Sequence, residues 1–195
     1  MKEKEKMLSG RLYRSSLDAL VLERQNAREL LHAFNHLPPG DKDRQKELLH
    51  ALLGTARSKI DVEPPFHCDY GWNIDVGENF YAHANCTILD AAKVTIGDHV
   101  ILGPDVGIYT AAYPLDPGLR TEGYAYALPI RIGKNVWIGG HVVVLAGVTI
   151  GDNAVIRSGS VVSTDIPSNV EAGGNPCQVL RTLTEEDRKS GQWIP

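Results

Sequence analysis

Set out in sixes, residues 94–111 read VTIGDH, VILGPD, VGIYTA, and residues 130–165 read IRIGKN, VWIGGH, VVVLAG, VTIGDN, AVIRSG, SVVSTD. The first place of each six is Val94, Val100, Val106, Ile130, Val136, Val142, Val148, Ala154 and Ser160, so a small, mostly aliphatic side chain returns at every sixth residue. The strands of a sandwich alternate with period two and have no fixed period of six. A fixed six is one of the signatures of a parallel β-helix, in which each six gives a short strand and a turn, and three sixes give one triangular coil. The repeated aliphatic then points inward and stacks on its counterparts in adjacent coils. Glycines such as Gly97, Gly133, Gly139 and Gly151 are expected to permit the tight corners. IDVGEN and FYAHAN carry the pattern back to Ile74.

Between Ala112 and Pro129 the sixes stop, in a stretch holding Pro114, Pro117, Gly118 and Gly123. A long excursion from a regular solenoid usually carries function. Ahead of the repeat, residues 1–56 read as helical. Leu17, Leu20, Val21, Ala27, Leu30, Leu31, Phe34 and Leu37 recur at steps of three and four until Pro38-Pro39-Gly40, and a second run with Leu48, Leu49, Leu52 and Leu53 stops at Gly54. Short helices of this kind bury little alone and suit docking on something else. The expected organisation is a helical region over 1–56, a mainly β parallel helix over 57–180 with a protruding loop at 112–129, and a tail over 181–195.

Composition narrows the partners. The 20 basic and 24 acidic residues are evenly mixed, giving a net charge of −4, which attracts neither nucleic acid nor an anionic membrane in bulk. No apolar run approaches the ~20 residues of a bilayer span, and the opening MKEKEKM lacks the apolar core of a signal peptide, so a cytoplasmic protein is expected. KEKEK reads as the solvated face of a first short helix. Cys68, Cys86 and Cys177 are odd in number and lack CxxC spacing, which argues against disulfides or a zinc site and for buried free thiols.

Longer ordered stretches are more specific than the sixes: EKEKMLSGRLY, PPFHCDYGWNIDVGENFYA, YTAAYPLDP, IGKNVWIGGHVVVLAGVTIGDNAVI and GGNPCQVL. In these the chain resembles, over essentially its whole length, the maltose, galactoside and nodulation O-acetyltransferases of the left-handed β-helix class. The resemblance implies the hand of the helix, a homotrimer with active sites between subunits, and acetyl transfer from acetyl-CoA to a sugar hydroxyl without a metal. It also implies a loop histidine as general base, in a motif like T-x-x-H-P. This chain has Tyr113 there, and where relatives carry an asparagine in the Y-A-x-A-N segment it has His83. Tyrosine, with a pKa of ~10, is a poor base at neutral pH, whereas histidine at ~6.5 is well matched. Three outcomes stay open: His83 is a relocated base with Tyr113 orienting the hydroxyl or donating to the oxyanion; the site has lost efficient turnover and only binds; or weak activity persists through the tyrosine or through substrate positioning.

The same resemblance maps Arg24, Asp69, Tyr81 and Asn85 near the sugar, with Ser15 where some relatives have aspartate. It maps Trp137, Gly139, Gly140, Ser158, Ser163 and Thr164 along the CoA, with Arg181 as a phosphate partner. Trp137 could instead cover a trimer seam. Ser163-Thr164 and Gln178 stand where relatives often have Thr-Lys and arginine, so weaker CoA binding is expected. A rival on the same fold is a β-helix carbonic anhydrase with three histidines on zinc, for which His83, His99 and His141 are available. A second rival is a non-catalytic protein that kept a CoA or sugar pocket.

Overall fold

A computed structural model describes residues 2–190. The chain winds into a triangular parallel solenoid of about six turns. Face one stacks Thr55–Ala56, Ile74–Val76, Val94–Ile96, Ile130–Ile132 and Thr149–Ile150, with a last bridge from Ile150 to Ile166. Face two stacks Ile60–Val62, Phe80–Ala82, Ile101–Leu102, Trp137–Ile138, Val155–Ile156 and Val170–Gly173; Gln178–Thr182 then turns back antiparallel on the last of these. Face three stacks Phe66–Cys68, Cys86–Leu89, Gly107–Tyr109, Val143–Val144 and Val161–Val162.

Two columns of each six point inward. The first place gives Val94, Val100, Val106, Ile130, Val136 and Val142; the third gives the bulkier Ile96, Leu102, Ile108, Ile132, Ile138 and Val144, all buried. All three cysteines are buried free thiols, and burial lifts Cys86 to about 12.

Glycine serves the corners as expected, though at the fourth place close approach and not φ requires it. The left-handed backbone is supplied by the sixth place: Asn79, His99, Asn135, Asn153 and Asn169 between faces one and two, and Asn85, Asp105 and His141 between faces two and three, with φ from 55° to 64°. Asparagine tolerates this region better than most residues, and side-chain amides ladder from Asn135 to Asn153 at 2.9 Å and from Asn153 to Asn169 at 2.7 Å. The fourth-place glycines serve close approach instead. A Cβ on Gly97 would sit 2.7 Å from the Gly133 carbonyl carbon, and one on Gly139 would sit 2.6 Å from the Ser158 nitrogen.

Coil length is not uniform. Arg131 pairs with Thr149 and Trp137 with Val155, steps of 18, but Asp61 pairs with Tyr81, Asp75 with Thr95 and Tyr81 with Ile101, steps of 20. The surplus residues lie at the corner from face three back to face one, at Asp69–Asn73 and at Asp90–Lys93. The 112–129 excursion leaves from that same corner, which is accordingly the wide one.

The amino-terminal region holds α1 (Glu3–Leu8), α2 (Asp18–Asn35) and α3 (Lys42–Leu52). It is not helical throughout: Tyr13–Arg14 is a strand, and Thr55–Ala56 already belongs to face one. Ala27, Leu31 and Phe34 of α2 and Leu48, Leu49 and Leu52 of α3 close the open end of the solenoid and join its core. Asn35 fixes the junction by accepting from Phe66 N and donating to Phe66 O, both at 2.9 Å. The loop is anchored too. Tyr13–Arg14 pairs with Tyr124–Ala127, which pairs with Ala111–Ala112, and α4 (Pro117–Thr121) caps the tip. Met7, Tyr13, Leu20, Tyr70, Ala91, Ala92, Ala125 and Ala127 form a second apolar cluster beneath this small sheet. A final α5 (Glu185–Ser190) follows the hairpin, so the expected tail begins inside a strand and its last residues lie outside those described. Among the described residues no helix is long and apolar enough to cross a membrane.

Candidate active site

At the wide corner Asp90, fully buried, organises the backbone. Its Oδ1 accepts from Asp69 N at 3.0 Å and Tyr70 N at 2.8 Å, and its Oδ2 from Asn73 N at 3.3 Å. Burial pushes its carboxyl up to about 6 despite these donors, which pull the other way. Thr110 supports the next coil, donating to Leu89 O at 2.6 Å and accepting from Ala92 N at 3.0 Å. On this scaffold Arg24 reaches from α2 to donate to the Tyr70 hydroxyl at 2.6 Å and to the Ser15 carbonyl at 2.7 Å. Ser15 thus contributes its backbone there. Burial raises the Asp69 carboxyl, while Arg24 and Arg28 draw it back.

Tyr13 joins this group. Burial first, then the nearby Tyr70, Asp69 and Tyr113, oppose its ionisation, so it stays a neutral hydroxyl. The wide corner therefore gathers Arg24 and Asp69, as mapped from the sequence, with Tyr113 at its rim, 66% exposed. Tyr13, Tyr70 and Asp90 were missed. An acidic residue closing the buried run CTILD was the one legible sign of Asp90.

Tyr81, His83 and Asn85 stand elsewhere, at the corner between faces two and three. Tyr81 donates its hydroxyl to Glu63 Oε1 at 2.6 Å, which holds the phenol up at about 12. His83 Nδ1 lies 3.3 Å from the Tyr81 hydroxyl and 3.7 Å from Glu63 Oε2. Asn85 has φ 64° and donates its backbone N–H to Pro65 O, so the corner itself accounts for it. Within one chain His83 and Tyr113 are not brought together. Nor do the three histidines weighed for zinc meet: His99 sits at the corner between faces one and two, and no group of three metal-ligating side chains occurs among the described residues.

The strand register lines up one file along the His83 corner. The pairings Asp61 to Tyr81, Tyr81 to Ile101, Ile101 to Trp137 and Trp137 to Val155 put Glu63, His83, Gly103, Gly139 and Arg157 one above the next. Between His83 and Arg157, about 14 Å apart with strands ~4.8 Å from one another, the file runs through Gly103 and Gly139, both buried and packed closely on the next coil. Its far end opens into a cavity of 350 Å³ lined by Trp137, Gly139, Val155, Ile156, Arg157, Ser158 and Glu171. Gly140 turns the same corner against Pro104. Ser163 and Thr164, also mapped to CoA, are exposed one face away, at the wide corner.

Arg181 is already engaged. Its Nε donates to Glu171 Oε2 at 2.6 Å and its two terminal nitrogens to Asp187 at 2.8 and 3.0 Å, while Arg157 Nε donates to Glu171 Oε1 at 2.6 Å. Arg181 holds the Asp187 carboxyl at about 2. Arg157 was not picked out from the sequence, although it fills a place in AVIRSG where other sixes have glycine.

A three-faced coil of sixes interrupted by one protruding loop is the architecture of hexapeptide-repeat acyltransferases, and comparison with known proteins agrees. The family described as maltose acetyltransferase hexapeptide capping motif matches residues 6–57, and bacterial transferase hexapeptide (six repeats) matches 129–164. Galactoside O-acetyltransferase of Escherichia coli K12 is 42% identical over 94% of this chain and 91% of its own. The crystal structure of a maltose O-acetyltransferase from Clostridium difficile 630 superposes with a TM-score of 0.93 at 48% identity, covering 94% of this chain and 98% of that one. A galactoside acetyltransferase in complex with coenzyme A gives 0.91 at 41% identity, over 96% and 94%. The chain belongs to the maltose and galactoside O-acetyltransferases, left-handed β-helix enzymes.

Proposed function

We propose that this acetyltransferase moves acetyl from acetyl-CoA to a hydroxyl of a sugar, in the cytoplasm, as a homotrimer whose sites form where the His83 corner of one protomer meets the wide corner of its neighbour. The observation that carries this reading is the file His83, Gly103, Gly139, Arg157. It is a path along the corner on which no side chain stands at Gly103 or Gly139, with an imidazole at one end and a guanidinium at the other. The path suits a pantetheine arm, with the acetyl thioester toward His83 and the phosphates toward Arg157. Trp137 and Ser158 line its mouth, and Gly140 turns beside it. Ser163 and Thr164, at the wide corner, would close over the same molecule from a neighbouring protomer.

The polar cluster of Arg24, Asp69 and Tyr13, with Tyr113 at its edge, has the donors and acceptors that vicinal hydroxyls need. It supplies the acceptor wall; Tyr81 and Asn85 border it from the other protomer. His83 of one protomer takes the proton of the sugar hydroxyl, whose oxygen adds to the thioester carbonyl carbon. Tyr113 of the neighbour donates a hydrogen bond to the oxyanion. Collapse breaks the carbon–sulfur bond, acetyl stays on the sugar, and the thiolate leaves and recovers the proton from His83.

The test is thiol release from acetyl-CoA across a panel of mono- and disaccharides. His83→Ala is expected to lower kcat by ~10² to 10⁴ while CoA binding, followed calorimetrically, persists. A second reading, a homologue that binds without efficient turnover, is favoured by Tyr113 itself and by Arg181 being tied to Glu171 and Asp187. It would be upheld by a natural protein silent on the whole panel and revived by Tyr113→His.

A further inference from the structure

Glu63 precedes His83 in the corner file and contacts both His83 and Tyr81, yet neither composition nor spacing drew attention to it. Three distances define the group: Tyr81 hydroxyl to Glu63 Oε1 at 2.6 Å, Tyr81 hydroxyl to His83 Nδ1 at 3.3 Å, and His83 Nδ1 to Glu63 Oε2 at 3.7 Å. A phenol has one proton, and the short contact to the carboxylate uses it. The tyrosine oxygen therefore presents only lone pairs to the imidazole, and Glu63 Oε2 presents another. Both groups facing Nδ1 are acceptors, so a bare Nδ1 would meet lone pairs on two sides, whereas an Nδ1–H has the Tyr81 oxygen within hydrogen-bond reach at 3.3 Å and the carboxylate charge beside it at 3.7 Å. A neutral imidazole carries a single ring proton, and placing it on Nδ1 leaves Nε2 bare. The two rings meet edge-on, centroids 4.7 Å apart and planes at 72°, which restrains the imidazole against flipping.

We propose that Glu63, acting with Tyr81, is a positioning residue that locks His83 in the tautomer with its proton on Nδ1 and so keeps the Nε2 lone pair available for the acceptor hydroxyl. The catalytic half of this inference rests on His83 being the base; the tautomer half stands on the geometry alone. The measurement is ¹⁵N NMR of protein labelled at histidine, with His83→Ala identifying the resonances, at a pH where the ring is neutral. The natural protein is expected to show the proton on Nδ1. Glu63→Gln, whose amide can donate to Nδ1, is expected to shift the ring toward the Nε2–H form and to lower kcat by about 10- to 100-fold. KM for the sugar should stay within about twofold, by the rule that an interaction used only in the transition state acts on kcat. Should Glu63→Gln fold poorly, Tyr81→Phe, which leaves the carboxylate in place, should keep the Nδ1–H form. A natural protein with its proton on Nε2, or a Glu63→Gln variant unchanged in both tautomer and kcat, overturns the lock. An intact lock with full kcat in His83→Ala instead overturns the base assignment and leaves the lock standing.

Discussion

The coils from Ile130 to Val162 and those from Thr55 to Tyr109 share one architecture and obey different rules. The later coils advance by 18 residues around a core of stacked aliphatics, with Trp137 and Arg157 on their outer surface. The earlier ones advance by 20, spend the surplus at the wide corner, and put Asp69, Tyr70 and Asp90 there. Regularity minimises strain and leaves no room for convergent polar groups. Two added residues per turn at one corner make that room without disturbing the other two.

The contrast is sharpest in the core of the regular coils. Ile138, fully buried between Leu102 and Ile156, should cost ~2–5 kcal/mol when cut to alanine; urea unfolding would show it, while KM for substrates of the folded protein changes little. A loss under 1 kcal/mol would mean that the coils stand without their core.

The wide corner should respond to pH instead. Asp90 titrates near 6 when folded and near ~3.9 when unfolded. Between those values the folded chain holds a proton that the unfolded chain has released, so stability falls as pH rises from about 4 to 6 and is level above. The contribution is on the order of 2–3 kcal/mol. Unfolding curves at pH 4, 5, 6 and 7 should show this slope, and Asp90→Asn should remove it. Asp187, held at about 2, has the opposite sense: its contribution is lost as pH falls from about 4 to 2.

A smaller effect is expected for Tyr70→Phe, which removes the acceptor of the Arg24 bond. Stability should drop by ~1–2 kcal/mol and KM for the sugar should rise, with kcat nearly unchanged. Smallest of all is Asn153→Gly in a regular corner. The position has φ 59°, which glycine adopts freely, so the change should stay within about 0.5 kcal/mol although two amide bonds are lost.

What could be read beforehand follows the same division. The sixes from Val94 onward declared the solenoid because a fixed period is a local property of the chain. The helices were equally visible: 18–35 and 42–52 fall inside the leucine runs. The strands at 60–62 and 66–68 were not picked out, although Ile60 and Phe66 stand six apart, because the next step, from Phe66 to Ile74, is eight. Period also says at which corner a residue turns but not which groups meet across the surplus. Hence Tyr13, which reaches Tyr70 and Asp69 from a separate strand, and Glu63, one coil before His83, escaped notice. Arg24 and Asp69 were singled out only through the family likeness. The glycines read as allowing tight corners do so at Gly97 and Gly139 through a clearance of under 3 Å, whereas Gly147 and Gly159 turn corners through a positive φ.

The hairpin at the end of the solenoid has a bearing on solubility. A stack of parallel strands is an open template, and its last member would offer unpaired amides to any strand that came by, including another copy's. Here Gln178–Thr182 runs back along Val170–Gly173 in the reverse direction, so the next layer cannot be added in the sense of the preceding ones. The Arg181 clamp on Glu171 and Asp187 fastens that strap. Loosening it by Arg181→Ala would therefore show itself first as turbidity on storage or mild heating, well before the melting temperature moves.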